Sequence, residues 1–221
     1  MNKSEDSTSL SNLQRIREEV ESIVDAIGKP IDKGIFETVV YLNALGIPTT
    51  QSCEGHADSG RPWPWVRIGA DNEPRERFVG QLKTYQQVAD ENNVQLSVVE
   101  RAQNVELWAE AERRIGDVPE TDEYQEWANK NSQLVNQVQV LIDEFYADRK
   151  VEDDLKLELM VMAGNEAELM PYEVNKKPVD WERLSENELA KIIRRLPARQ
   201  AEMIAFTEFL RLKYEARLRK L

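Results

Sequence analysis

Cysteine and histidine are nearly absent from the chain. Its 221 residues contain one cysteine, Cys53, and one histidine, His56. A single cysteine excludes an intramolecular disulfide, and a zinc site with four protein ligands would have to draw two of them from carboxylates. At this length a hydrophobic core is enough to stabilise a fold without cross-links.

Long apolar runs are also missing. Charged residues interrupt every hydrophobic stretch before it reaches the roughly 20 residues that a membrane span requires. Residues 1–10 have neither the basic region nor the apolar region of a secretory signal. We therefore expect a cytoplasmic protein with no membrane partner and, with 41% hydrophobic and 32% charged residues, a folded one.

Positive charge is scarce in the chain as a whole, whose formal net charge is -12. Phosphate contacts need a local surplus of Lys and Arg, so nucleic acid is an unfavoured partner. The one surplus lies in residues 191–221, which carry +6 and leave -18 for residues 1–190. This polarity favours a basic terminal helix docked on an acidic body, either of the same chain or of a neighbouring subunit in a homodimer.

The spacing of apolar residues predicts helices and strands in mixed order. Helical spacing predicts helices over about 13–27, 31–45, 74–91, 105–115 and 121–148, and two more within 185–221 that Pro197 is expected to separate. Alternation and β-branched residues predict four strands, at 47–53, 65–68, 94–98 and 155–162.

These elements indicate an α+β fold in which a four-stranded, mostly antiparallel sheet packs with helices, including the long helix 121–148 and a helical C-terminus. We expect residues 1–180 to form the α+β core domain. Residues 181–221 are then a C-terminal helical extension packed on that domain as part of one structural unit.

Reactive side chains are concentrated in the long connection between the first two predicted strands. Cys53, Glu54, His56 and Asp58 lie within six residues of one another. Connections of about a dozen residues without secondary structure are uncommon and often functional. Residues 52–56, called the 52–56 segment below, are therefore the candidate site.

Three interpretations of this segment stay open. In the first, Cys53 and His56 bind a metal with Glu54 or Asp58; because no further Cys or His exists, we assign no metal from the sequence and leave the cofactor open. In the second, His56 lowers the pKa of a nucleophilic Cys53 while Glu54 or Asp58 orients the imidazole. In the third, Cys53 is a small buried residue and the polar side chains bond within their own loop. The candidate catalytic residues are Cys53, His56 and Glu54.

Aromatic and basic side chains follow the segment directly. Trp63, Trp65, Arg61 and Arg67 could form a wall with anion contacts for a planar or anionic ligand. Tryptophan is equally a normal core residue. The candidate ligand-binding residues are Ser52, Asp58, Arg61, Trp63 and Arg67.

The same stretch carries two resemblances. The pattern T-x-S-C-E-G-H-x-D-x-G-x-P-x-P-x-V, from Thr50 to Val66, resembles a stretch shared by a group of uncharacterised bacterial proteins, and it implies no activity. The run from Ser52 to Gly55 is similar to the Ser-Cys-Ser-Gly segment of the wybutosine tRNA methyltransferase family, in which a strand and turn of this kind line a substrate site. Glu54 departs from that family's small residue, and His56 stands where the family has arginine. This resemblance implies where a site lies.

We expect a small-molecule or nucleotide-binding protein with its site at the 52–56 segment, and the sequence leaves open whether it is an enzyme. The alternative is a non-catalytic interaction protein. It would assemble through helix 121–148, whose apolar positions include Leu134, Val138 and Leu141, or through the basic C-terminal helices. Neither hypothesis excludes the other.

Overall fold

The computed structural model describes residues 3–25, 27–58, 60–95, 104–172 and 185–220. Within these ranges, six α-helices and four β-strands confirm the predicted α+β fold. The helices are α1 (Lys3–Glu21), α2 (Lys33–Ala44), α3 (Gln81–Glu91), α4 (Val105–Ile115), α5 (Asp122–Tyr146) and α6 (Glu186–Leu218). The strands are β1 (Thr49–Cys53), β2 (Trp65–Ile68), β3 (Leu157–Val161) and β4 (Ala167–Pro171).

The strands form one antiparallel sheet in the order β1-β2-β4-β3. Three of its strands match the strands predicted at 47–53, 65–68 and 155–162. The strand predicted at 94–98 is not observed at residues 94 and 95, and its remainder lies outside the described residues.

Strand β4 was not predicted from the sequence. All five of its residues are buried, so the alternation that reveals a half-buried strand is missing. Its second residue, Glu168, is fully buried and pairs with Arg61 at 2.6 Å and with Arg67 at 2.7 Å. Arg67 lies directly opposite Glu168 in the β2-β4 ladder. The negative charge of Glu168, which makes this segment look unlike a buried strand in the sequence, is therefore neutralised by an arginine on the neighbouring strand.

The chain divides into two compact units. Unit 1 consists of residues 1–71 and 131–221, and unit 2 consists of residues 72–130. In unit 2, helix α3 packs on α4 around Tyr85, Val88, Ala89, Trp108, Ala111 and Ile115. The domain boundary predicted after residue 180 falls outside the described residues.

The core of unit 1 lies between the sheet and the helices. It includes Ile35, Val39 and Leu42 from α2, Val66, Ile68, Leu157 and Leu169 from the sheet, and Met203, Phe206 and Leu210 from α6. Val138 of α5 belongs to this core, and Leu134 and Leu141 pack against it. The apolar positions through which α5 was expected to assemble with a partner are therefore used inside the chain.

Helix α6 is continuous, so the prediction that Pro197 separates two helices is wrong. A proline inside a helix removes one backbone N–H and crowds the preceding turn. The turns on both sides are nevertheless held by packing, because Leu196 and Met203 are buried. Tertiary packing thus outweighs the local helix-breaking tendency of proline.

Basic residues of α6 meet acidic residues of their own chain. Arg195 pairs with Glu152 at 2.7 Å and with Asp154 at 2.6 Å, and Lys213 pairs with Glu144. Within the described part of the chain, no helix combines the length and the apolar character that crossing a membrane demands.

Candidate functional site

The 52–56 segment leaves the sheet through a tight turn. Cys53 is the last residue of β1, and Gly55 follows with a φ of +82°. A Cβ at Gly55 would lie 2.6 Å from the backbone carbon of Trp63, so only glycine fits this turn. The backbone N–H of His56 donates to the carbonyl of Arg61 at 3.1 Å and closes the loop.

A side chain that the sequence analysis did not identify, Asp32, meets Cys53 and His56. The distance between Asp32 Oδ2 and His56 Nε2 is 3.1 Å. One carboxylate oxygen, the Cys53 sulfur and one imidazole nitrogen all lie within 4.8 Å of one another. We call these three partly buried side chains the Asp32/Cys53/His56 cluster.

Asp32 is available to this cluster because Glu54, and not Asp32, accepts a hydrogen bond from the N-terminus of helix α2. Asp32 is the N-cap residue of α2, yet its side chain makes no capping hydrogen bond, although aspartate is among the preferred N-cap residues. The backbone N–H of Gly34 donates instead to Glu54 Oε2 at 2.6 Å. A Cβ at Gly34 would lie 2.6 Å from the same oxygen, so a larger residue here would displace the Glu54 carboxylate.

Several donors surround the Asp32 carboxylate. Lys29 Nζ lies 3.1 Å from Oδ1, and the backbone nitrogen of Glu54 lies 3.3 Å from Oδ2. Burial by itself raises the pKa of Asp32, but the hydrogen bonds from Lys29, the Glu54 N–H and His56 outweigh it and hold this pKa below the ordinary aspartate value. Asp32 is therefore an anion at neutral pH.

The Cys53 thiol has the opposite tendency. Burial raises its pKa, and the nearby negative charge of Asp32 adds to this effect, while the Gly55 N–H, 3.3 Å from the sulfur, offsets part of it. A free thiol with a raised pKa keeps its proton at neutral pH, whereas nucleophilic attack requires the thiolate. In this arrangement the imidazole of His56 bonds Asp32, and the sulfur of Cys53 is a neutral group.

All three residues of the cluster line one cavity with a volume of about 660 Å³. Strand β1 contributes further polar groups, including Ser52 and Thr50, and Trp65 of β2 contributes an aromatic face. The volume falls in the range of about 300–1,000 Å³ that is typical of small-molecule sites.

Apolar side chains from the connection between α1 and α2 form another part of the lining. Ile23, Val24 and Ile27 all line the cavity and have exposed fractions of 49%, 56% and 86%. Exposed aliphatic side chains grouped at a cavity indicate a contact surface for an apolar ligand group.

This connection corrects the helix predicted over 13–27, because α1 ends at Glu21. The carboxylate of Asp25 accepts hydrogen bonds from the backbone N–H groups of Ile27 at 2.9 Å and of Lys29 at 2.8 Å. Val24 then bridges to Pro30 in antiparallel fashion. An aspartate that bonds the backbone ahead of it favours a turn over a helix, so the chain reverses here.

The predicted ligand-binding residues separate into two groups. Ser52 lines the cavity, whereas Asp58 is exposed and does not. Arg61 and Arg67 do not line it either, because their guanidinium groups bind Glu168 of β4.

Trp63 also lies away from the cavity. Only 3% of its surface is exposed, and it belongs to a small core cluster with Met170. Trp65, the other tryptophan of the wall considered from the sequence, lines the cavity, and the Arg61 guanidinium lies 4.7 Å from its ring centroid.

No protein-family model, curated protein or solved structure matches this chain. The geometry of the cavity and its cluster is therefore the basis for a functional proposal.

Proposed function

We propose that the chain binds a small amphipathic molecule in the cavity beside the 52–56 segment, with the Asp32/Cys53/His56 cluster at the polar end of the site. The observation that carries this proposal is that Cys53 and His56 line the same cavity and that the Cys53 sulfur and one imidazole nitrogen lie within 4.8 Å of each other. Had either group been packed away from the other, the segment would have no shared chemistry.

The two kinds of lining support an amphipathic ligand. The cluster and Ser52 supply hydrogen-bonding groups, while Ile23, Val24 and Ile27 supply an apolar wall. Binding sites usually combine a largely apolar lining with a few polar groups that fix the orientation of the ligand. One polar functional group would then face the cluster and a hydrocarbon part would contact the wall.

A nucleotide is supported less well than an uncharged or weakly charged molecule. Of the described residues that line the cavity, Lys29 is the one Lys or Arg, and it is paired with Asp32. Phosphate groups are bound by several cations or backbone N–H donors together. The cavity therefore favours a ligand without a phosphate chain.

The cluster also suits proton transfer. An imidazole held in one orientation by a carboxylate is a common general acid or base, and here the His56 ring bonds Asp32 while it borders the cavity. In an enzymatic form of the proposal without a metal, His56 exchanges a proton with the polar group of the ligand and Asp32 orients the ring.

Alkylation of Cys53 tests the binding proposal, because the chain has a single cysteine. Metal-free protein, kept in excess chelator, is treated with iodoacetamide in the presence of members of a library of amphipathic fragments, and the modified fraction is measured by intact mass. We expect a subset of the fragments to slow the alkylation of Cys53.

A matched pair of variants distinguishes protection at this cavity from nonspecific protection. Ile27→Ser removes an exposed side chain from the apolar wall, and Ile204→Ser removes a 58% exposed isoleucine of α6 that is not part of the lining. Protection should weaken in Ile27→Ser and persist in Ile204→Ser. Equal alkylation with and without every fragment, or equal weakening in both variants, would overturn the proposal.

A further inference from the structure

We propose that the Asp32/Cys53/His56 cluster is a mononuclear zinc site whose fourth coordination position faces the cavity. The assignment of that fourth position to a ligand rests on the proposed function, whereas metal binding itself requires only the three side chains.

The donor set matches the preference of zinc. Zinc in proteins is bound by cysteine sulfur, histidine nitrogen and carboxylate oxygen, and the cluster supplies one of each. A cysteine ligand favours zinc over magnesium, calcium or manganese, which select sets of oxygen ligands.

The distances fit as well. With bonds of about 2.0–2.3 Å, tetrahedral coordination separates pairs of donor atoms by about 3.3–3.6 Å. Asp32 Oδ2 and His56 Nε2 are 3.1 Å apart, and no pair of donor atoms in the cluster is separated by more than 4.8 Å. Side-chain shifts of about 1 Å or less would bring all three donors into bonding range of one ion.

The backbone around the cluster is held from several directions. Asp32 directly precedes α2 and Cys53 ends β1. Gln200 of α6 donates from Nε2 to the carbonyls of Glu54 at 3.0 Å and Gly55 at 3.2 Å, so it fixes the turn that carries His56. Rigid support of the ligands is what gives a metal site its affinity.

The orientation of Asp32 is also that of a metal ligand. Its side chain makes no capping hydrogen bond at the start of α2, and one of its carboxylate oxygens lies within 4.8 Å of the Cys53 sulfur. A divalent ion bound there would attract both groups and displace the thiol proton. Lys29 bonds Oδ1 of Asp32 and leaves Oδ2 towards His56, which is an outer-sphere contact that orients a ligand oxygen.

Three protein ligands beside a cavity correspond to a catalytic rather than a structural zinc site. Structural sites are closed by four protein ligands, whereas catalytic sites keep one position for water or substrate. The polar group of the bound molecule, or a water molecule next to it, would take this position. The expected ligand class is therefore a small amphipathic molecule with an oxygen or nitrogen donor such as a carbonyl, hydroxyl or amide.

Cobalt(II) is the probe for this site, since it occupies tetrahedral zinc sites and its bond to a thiolate gives a charge-transfer band in the near ultraviolet. Titrated into the chelator-treated, desalted full chain, Co²⁺ should bind one ion per chain with this band, and Zn²⁺ should displace it. Cys53→Ser should abolish the band, and His56→Ala and Asp32→Asn should each weaken Co²⁺ binding by at least about tenfold.

Asp58→Asn is the matched control, because it removes a carboxylate from the same connection but outside the cluster. Its affinity for Co²⁺ should equal that of the wild type, and circular dichroism should confirm that every variant is folded. Binding without the charge-transfer band, binding that Cys53→Ser leaves unchanged, or equal loss in Asp58→Asn would each overturn the zinc site.

The two proposals fail separately. Fragment protection of Cys53 in chelator without any Co²⁺ binding would retain the ligand cavity and overturn the metal site. One Co²⁺ ion bound through Cys53 without fragment protection would retain the metal site and overturn the ligand cavity.

Discussion

At the scale of single residues, the carboxylate that caps helix α2 does not come from the N-cap residue. Asp32 stands where an N-cap residue is expected but points to Cys53 and His56, while Glu54 crosses from the neighbouring turn and accepts the helix N–H of Gly34. Glu54, a candidate catalytic residue from the sequence, thus has an observed role in positioning. This arrangement brings a carboxylate to a sulfur and an imidazole.

A double-mutant cycle tests this arrangement. An added methyl group in Gly34→Ala would collide with Glu54 Oε2, but in a Glu54→Ala background it meets no such oxygen and gains the helix preference of alanine over glycine. We expect Gly34→Ala to be about 1 kcal/mol less favourable in the wild type than in Glu54→Ala, from the free energy of unfolding in urea. An equal effect in both backgrounds would show that Glu54 does not contact the helix end.

The local part of the site was predictable from sequence and the distant part was not. Cys53 and His56 are three residues apart across a glycine turn, so their convergence follows from local geometry. Asp32 is brought to them by the packing of α2 beside β1, which no local pattern encodes. Likewise, Arg61 and Arg67 looked available to an anionic ligand because their partner, Glu168, is about a hundred residues away.

At the scale of secondary structure, local rules succeed where burial is one-sided and fail where tertiary contacts dominate. The alternation predicted for β2 is confirmed, because Val66 and Ile68 are buried while Trp65 and Arg67 are partly exposed, whereas β4 is buried on both faces and carries a charge. The turn at Asp25 ends α1 early through side-chain bonds to the backbone. Pro197 fails as a stop signal because packing holds both halves of α6.

Replacing Pro197 tests the continuity of α6. If the helix runs through this position, Pro197→Ala restores a backbone N–H and removes a steric conflict, so it should raise the free energy of unfolding by about 1–3 kcal/mol. Pro48→Ala, which lies between α2 and β1, is the control and should lower stability by about 0.5–1 kcal/mol through the entropy of the unfolded chain. Unchanged or lower stability of Pro197→Ala would contradict a continuous helix.

At the scale of the whole molecule, polar and charged side chains connect parts of the chain that are distant in sequence. Asn131, which breaks the apolar seam of α5, is fully buried, accepts from the Ala70 N–H at 2.6 Å and donates to the Gly164 carbonyl at 2.8 Å. Two basic residues of α6, Arg195 and Lys213, are likewise paired with acidic residues from other parts of the chain. These contacts all lie in unit 1, which also contains the cavity.

The most direct test of the account is a crystal structure of the full chain grown with Zn²⁺, with anomalous diffraction recorded at the zinc edge. The account predicts one strong peak at about 2.0–2.3 Å from the Cys53 sulfur, an imidazole nitrogen of His56 and an oxygen of Asp32, open to the cavity on its fourth side. The absence of a peak there, with the sulfur and the imidazole enclosed in separate packed surroundings, would contradict it.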